Sequence, residues 1–320
     1  MTGIGTIVRK ELSDHFSSYR FPILFALIAM SSLITTYMVG ISLREELSHV
    51  AKPSFVFLML FTSTGPLFSL VQFVAFFGPL IGLLLGFDAI NRERSNGTLS
   101  TLVSQPIYRD VIINGKFLAG VVTITIMLVS IVLVVSGLGL KLIGVVPGVE
   151  EVLRIALYLI ISIFYISFWL GVSILFSIIF RGVATSAMAT LAVWIFFSFF
   201  ISIGASVAAS AVAPLDSHAK RNPERVAQHM KIQGNLSLVS PMKLYNDATS
   251  VIIDPTRKTT QTFVMMGPME RMLVERFQRP LTLSQSIQVV IPHIISLIAI
   301  TLICFGLSYA VFMRQEIRSL

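Results

Sequence analysis

Residues 155–213 read IALYLIISIFYISFWLGVSILFSIIFRGVATSAMATLAVWIFFSFFISIGASVAASAVA, 59 residues in which Arg181 is the one charge. As a single helix rising 1.5 Å per residue this stretch would extend roughly 88 Å, almost three times the ~30 Å hydrocarbon thickness of a bilayer. The stretch therefore predicts two membrane crossings, residues 155–180 and 183–213, that meet at Arg181 and Gly182. A backbone in lipid must satisfy its own hydrogen bonds, so the crossings are helices.

Outward from this stretch the rest of the chain repeats the pattern. Residues 21–43, 117–140 and 289–313 are each apolar and long enough for one crossing. Residues 53–87 would make about 53 Å of helix, too long for one crossing and too short for two. Gly65 and Pro66 interrupt that run, so residues 67–87 are taken as the crossing and residues 53–64 as an interfacial or re-entrant piece. The expected fold class is an all-α polytopic membrane protein with six transmembrane helices. Composition agrees: 12% of the 320 residues are charged and the mean hydropathy is +0.84, whereas soluble domains carry about 25% charged residues. An ordinary soluble enzyme is excluded.

Orientation follows from the basic residues of short loops. With both termini cytoplasmic, the inner side holds ten: Arg9, Lys10, Arg20, Arg92, Arg94, Arg109, Lys116, Arg181, Arg314 and Arg318. The short outer loops hold four, Arg44, Lys52, Lys141 and Arg154. Residues 214–288 are then expected to form an external subdomain. The first twenty residues lack the short apolar core of a cleavable signal peptide. Ile4, Ile7, Val8, Leu12, Phe16 and Tyr19 recur there at helical spacing, which suits an amphipathic helix in the inner interface, in contact with lipid.

The six runs carry no acidic or basic residue, so they lack the usual equipment of an ion path or proton relay. His293 is the only histidine within them and reads as a hydrogen-bonded helix contact. Gly115-Lys116 is followed by Phe117, without the glycine spacing or hydroxyl of a phosphate-cradling loop. No Ser-His-Asp or His-Glu-x-x-His arrangement is present, so no catalytic residue is assigned. Cys304 stands alone, which excludes an internal disulfide, and the +8 net charge is not gathered into an aromatic-interleaved stripe that nucleic acid would need. No cofactor site is expected on this chain. Either the protein is passive or another polypeptide supplies its energy.

Two further patterns stand out. Gly78, Gly82 and Gly86 repeat every four residues and predict a close helix contact; Gly204, Ala205, Ala208 and Ala209 make a second small-residue surface, and one of the two could serve a homodimer. Met265, Met266, Met269 and Met272 crowd the long outer loop, where thioethers suit Cu(I) or an adaptable apolar surface. Asn235-Leu236-Ser237 matches the glycosylation pattern.

The loop between the second and third crossings reads DAINRERSNGTLSTLVSQPIYR, residues 88–109. Asn96-Gly97 is a turn pair, Thr98 can cap a helix, Leu99, Leu102 and Val103 share one face, and Pro106 ends it. So short a helix needs a surface to dock on. Glu93, Gly97, Thr98, Leu99, Pro106, Arg109, Gly115 and Lys116 together resemble the first cytoplasmic loop of the membrane subunits of type-2 ABC transporters, in particular the NosY-like permease subgroup. Val8-Arg9-Lys10-Glu11-Leu12 is similar to that family's entry helix, and Pro241 through Tyr245 to a stretch many members carry before the last span.

The resemblance implies a permease subunit paired with a second copy or a related subunit and with a separate cytosolic ABC ATPase that binds ATP and Mg²⁺. The short helix would be its coupling helix. It implies transport, read as export. The alternatives are an ATP-driven mechanotransmitter acting on an external partner without translocation, and a self-sufficient channel or carrier.

Overall fold

The computed structural model describes residues 2–47, 55–62, 69–97, 108–214, 223–256 and 280–314. Within them the chain is helical, with no strand: α1 Thr2–Ser17, α2 Arg20–Leu47, a 3-10 turn Val56–Leu60, α3 Leu70–Gly86, α4 Asn91–Ser95, α5 Arg109–Ile143, α6 Val149–Ile179, α7 Val183–Ile195, a π turn Phe196–Phe200, α8 Ile201–Val212, α9 Pro223–Ser237, α10 Pro241–Ile253 and α11 Leu283–Arg314. Six helices are long and apolar enough to cross a membrane: Arg20–Glu45, Leu70–Ser95, Arg109–Ile143, Val149–Ile179, Val183–Val212 and Leu283–Arg314.

Local chemistry sets the helix ends. α3 starts at Leu70, three residues later than the apolar run suggests, because Ser69 and Gln72 form a reciprocal cap: the Gln72 N–H donates to Ser69 Oγ at 3.2 Å and the Ser69 N–H to Gln72 Oε1 at 2.9 Å. α5 begins at Arg109, eight residues before the expected crossing. An apolar count sees only what lipid requires, and the helix continues through charged residues that find partners. α6 carries Glu150 and Glu151 in its first turn, where acidic groups suit the helix dipole.

α3, α5 and α6 form the centre, and α2, α7–α8 and α11 lie outside it. The most apolar window of α3 is 61% buried and that of the helix through α7 and α8 is 17% buried. α3 and α6 meet backbone to backbone along the glycine stripe. A Cβ on Gly82 would stand 2.7 Å from the Ile166 carbonyl oxygen and 2.8 Å from the Leu170 nitrogen; one on Gly86 would stand 2.8 Å from Ser173 Cβ, and one on Gly78 3.0 Å from Ile166 Cγ1. Hydroxyls of α6 complete the contact, Ser173 Oγ donating to the Leu83 carbonyl and Tyr165 Oη to the Ala75 carbonyl, both at 2.8 Å. Ala75 lies four residues before Pro79, which has no N–H to offer it. Tyr165 thus satisfies a carbonyl that a proline inside the helix leaves open.

Residues 55–62 fold as a plug between the helices at the end opposite α1. Phe57, Leu58, Leu60 and Phe61 are buried, and the Phe57 N–H donates to Glu151 Oε1 at 3.0 Å. At the same end Arg154 is buried on α6 and ties three elements together. Its guanidinium donates to Glu150 Oε1 at 2.8 Å, to the Ile252 and Leu281 carbonyls at 2.9 and 2.6 Å and to Ser286 Oγ at 3.1 Å, and it lies over the Phe55 ring.

Where it is described, the stretch 214–288, expected as an external subdomain, packs along the bundle. α9 runs back along α8, in which Ala205 and Ala209 are buried, and α10 lies against α3, α6 and α11. Tyr245 of α10 stacks on Tyr165, near the middle of the 31-residue α6, with ring centroids 4.4 Å apart. The cause is amphipathicity: Leu244, Tyr245, Ala248, Val251 and Ile252 form one buried face.

Candidate functional site

Of the resemblance residues that the structure describes, Lys10, Glu11, Glu93, Gly115 and Lys116 meet where α1 lies on α5. Thr98, Leu99, Leu102, Val103 and Pro106 lie outside the described residues, as do Met265, Met266, Met269 and Met272. Glu93 and Lys116 are both buried and adjacent. Lys116 Nζ lies 2.8 Å from Glu11 Oε1 and 3.0 Å from Glu93 Oε1, and Lys10 Nζ is 3.2 Å from each of the same two oxygens. Two lysines and two glutamates from α1, α4 and α5 thus alternate in one junction. Gly115 makes room for the approach: a Cβ there would stand 2.6 Å from Ile7 Cγ2, so Ile7 of α1 would have to shift if that position were not bare.

Burial acts against ionisation at this junction, and the partners outweigh it. Burial opposes the charge on Lys10, yet Glu11 and Glu93 raise its ammonium above the ordinary lysine range. Burial pushes the Glu11 carboxyl up, and Lys116 followed by Lys10 more than reverse this, holding it below the ordinary carboxylate range. His15, one turn along α1, is lowered chiefly by burial. A cavity of about 800 Å³ opens alongside, lined by Asp14, His15, Arg20, Asp88 and Arg92 with the junction itself. Across it Arg20 Nη1 bonds Asp88 Oδ2 at 2.8 Å and lies over the Phe87 ring.

The root of the loop is held on its other side by α6. The Ile90 and Asn91 N–H groups donate to Ser177 Oγ at 2.9 and 3.2 Å, and Asn91 Nδ2 to the Gly182 carbonyl at 3.4 Å. Gly97 then turns the chain at φ +70°, a left-handed conformation that favours glycine. The loop returns through Arg109, the first residue of α5. The described root of the loop thus touches α1, α5 and α6 as well as following α3.

Sequence reading pairs none of these charges. Lys10 reads there as part of a solvated face and Lys116 as a basic anchor, because partners 83 and 105 residues apart leave no periodic signal. The usable clue is Gly115: a bare residue beside a lysine at the mouth of a span marks a close approach. Among the described residues no group of three or more His, Cys, Asp or Glu could hold a metal ion.

A family model described as ABC-2 family transporter protein matches residues 5–317. Two proteins called probable ABC transporter permease protein NosY are similar in part. One, from Stutzerimonas stutzeri, is 36% identical over 117 residues, 37% of this chain and 38% of that protein. The other, from Pseudomonas aeruginosa, is 28% identical over 159 residues, 49% of this chain and 52% of that protein. The chain thus spans between about two fifths and one half of the length of these relatives. Six helices long and apolar enough to cross a membrane among the described residues, a loop root held in the bundle and a match along nearly all of its length place this chain in the ABC-2 transporter family, as a multi-pass membrane permease subunit.

Proposed function

We propose that this permease is the membrane half of an ATP-driven exporter, working as a dimer with a separately encoded cytosolic ATPase that docks on residues 98–104. The observation that carries the reading is the junction in which buried Lys116, Glu11 and Glu93 are met from the surface by the half-exposed Lys10. Three charges buried so deeply cost more in desolvation than exposed pairs return, so their use suits a joint that must keep one geometry under load. In this reading ATP and Mg²⁺ stay on the partner, whose closure pushes the loop. The junction and Ser177 pass that push to α1, α3, α5 and α6. α1 lies in the inner interface with Ile4, Phe16 and Tyr19, all exposed, toward lipid.

The test is replacement of Leu99 and Leu102 by Asp. Charge placed in an apolar contact should release the ATPase during co-purification while insertion of the permease is unchanged. Retention of the ATPase by the double variant would overturn the docking assignment.

A further inference from the structure

The crossings are free of charge in sequence, yet the packing of α10 brings charge to their depth. Ser240, just before α10, donates through Oγ to the Phe197 carbonyl at 2.8 Å, and Phe197 sits at the middle of Val183–Val212. Tyr245 Oη lies 3.0 Å from Ser162 Oγ, again near the middle of α6. Ile252 then reaches Arg154 near the start of α6. α10 therefore rises from mid-bundle to the end opposite α1, alongside the spans for its whole length.

Its two faces differ. Leu244, Tyr245, Ala248, Val251 and Ile252 are buried against α3, α6 and α11. Lys243, Asn246 and Ser250 recur at i, i+3 and i+7 and are partly exposed, with Asp247 at their edge. Lys243 Nζ pairs with Asp247 Oδ1 at 2.5 Å, and the other Asp247 oxygen lies 3.9 Å from His293 Nε2 on α11. The Lys243 side chain is 32% exposed. A charged stripe open to hydrocarbon at this depth would cost several kcal/mol, so such residues face protein or water. The neighbouring surface of α11 has the opposite character, with Ile291 and Ile295 exposed as lipid contacts would be.

We infer that the Lys243–Asn246–Asp247–Ser250 face of α10, with His293 beside it, lines the water-filled outer half of the passage, so that cargo leaves through a hydrated, hydrogen-bonding route and not along the lipid. This rests on the reading of the chain as an exporter's permease. It assigns the cargo to polar, solvated molecules.

Single cysteines in a Cys304→Ser background, in membranes carrying the permease with its ATPase, test it with an impermeant cationic thiosulfonate applied from the outer side. The thiolate is the reacting form, and a low-dielectric surrounding raises a thiol pKa by two units or more, which slows reaction about 100-fold. Asn246→Cys and the near-isosteric Ser250→Cys should react at rates comparable to Thr256→Cys, which lies in the open. Ile291→Cys and Ile295→Cys, level with His293 on the apolar surface, should be slower by about that factor. Reaction of Asn246→Cys and Ser250→Cys with a membrane-permeant maleimide alone would overturn the hydrated route. ATPase co-purification, measured on the same membranes, reports separately on the permease reading.

Discussion

Lys116 is the residue on which the loop root turns. Removing one partner from a buried ionic group leaves the others uncompensated, and such losses run to about 3–5 kcal/mol. Lys116→Met should fall near the lower end, because Lys10 remains against Glu11 and Glu93, and the loss is read as an earlier midpoint of unfolding in detergent. Adding Glu11→Gln to Lys116→Met should recover part of it, since a neutral amide no longer needs a cation; purely additive losses would contradict the junction. The junction also predicts a pH window. Glu11 is held below its ordinary range, so its contribution is present above about pH 4.5 and disappears as pH falls through the lowered value; Lys10 is held above its range, so its contribution disappears only as pH rises beyond about 10.5. Hydrogen exchange of α1 amides, corrected for intrinsic rates, should show constant protection from about pH 7.5 to 10 and weaker protection in acid, where the lowered His15 begins the loss below about pH 6.5 and Glu11 continues it. Protection that increases on acidification would contradict the assignment. Both charges are present in the sequence as single letters, and their pairing is not, because it depends on how α1 folds back over α5.

At the scale of the helices, α3 against α6 is the contact that tolerates least. Gly82→Ala already places a methyl under 3 Å from the backbone of α6, and Gly82→Leu must separate the helices. The expected order is loss of assembled permease with Gly82→Leu, a smaller loss with Gly82→Ala, and none with Gly204→Ala, whose added Cβ meets nothing within 4 Å. Equal behaviour of Gly82→Ala and Gly204→Ala in size-exclusion yield would remove the contact from the account. Tyr165→Phe should cost about 0.5–1.5 kcal/mol, because the Ala75 carbonyl then has no donor, and Pro79→Ala in the same chain should recover it by restoring an N–H. A cycle with zero coupling would mean that Tyr165 acts by packing alone. The glycine stripe was legible from spacing, but its partner helix was not, since nothing in the sequence of α6 announces that Ile166 and Leu170 face it.

For the molecule as a whole, six apolar helices were readable because lipid imposes one length and one polarity on every crossing, whatever the tertiary contacts. The return of α9 and α10 along the bundle was hidden by the same count. Lys231, Lys243 and Asp247 lower the local hydropathy, and a helix that packs on protein at bilayer depth need not be apolar all round. Arg154 likewise looks like a loop charge in the sequence, although it is the buried hub of that end. The central claim is that work delivered at the loop reaches this hub through the Lys116 junction. Spin labels at Thr256→Cys in the proposed permease dimer, purified with its ATPase in the Cys304→Ser background, measure it directly as an inter-label distance. The account predicts a distance distribution that shifts when ATP is bound and a shift that Lys116→Met abolishes while the ATPase stays attached; a distribution indifferent to nucleotide, or one that shifts as fully in Lys116→Met, would contradict it.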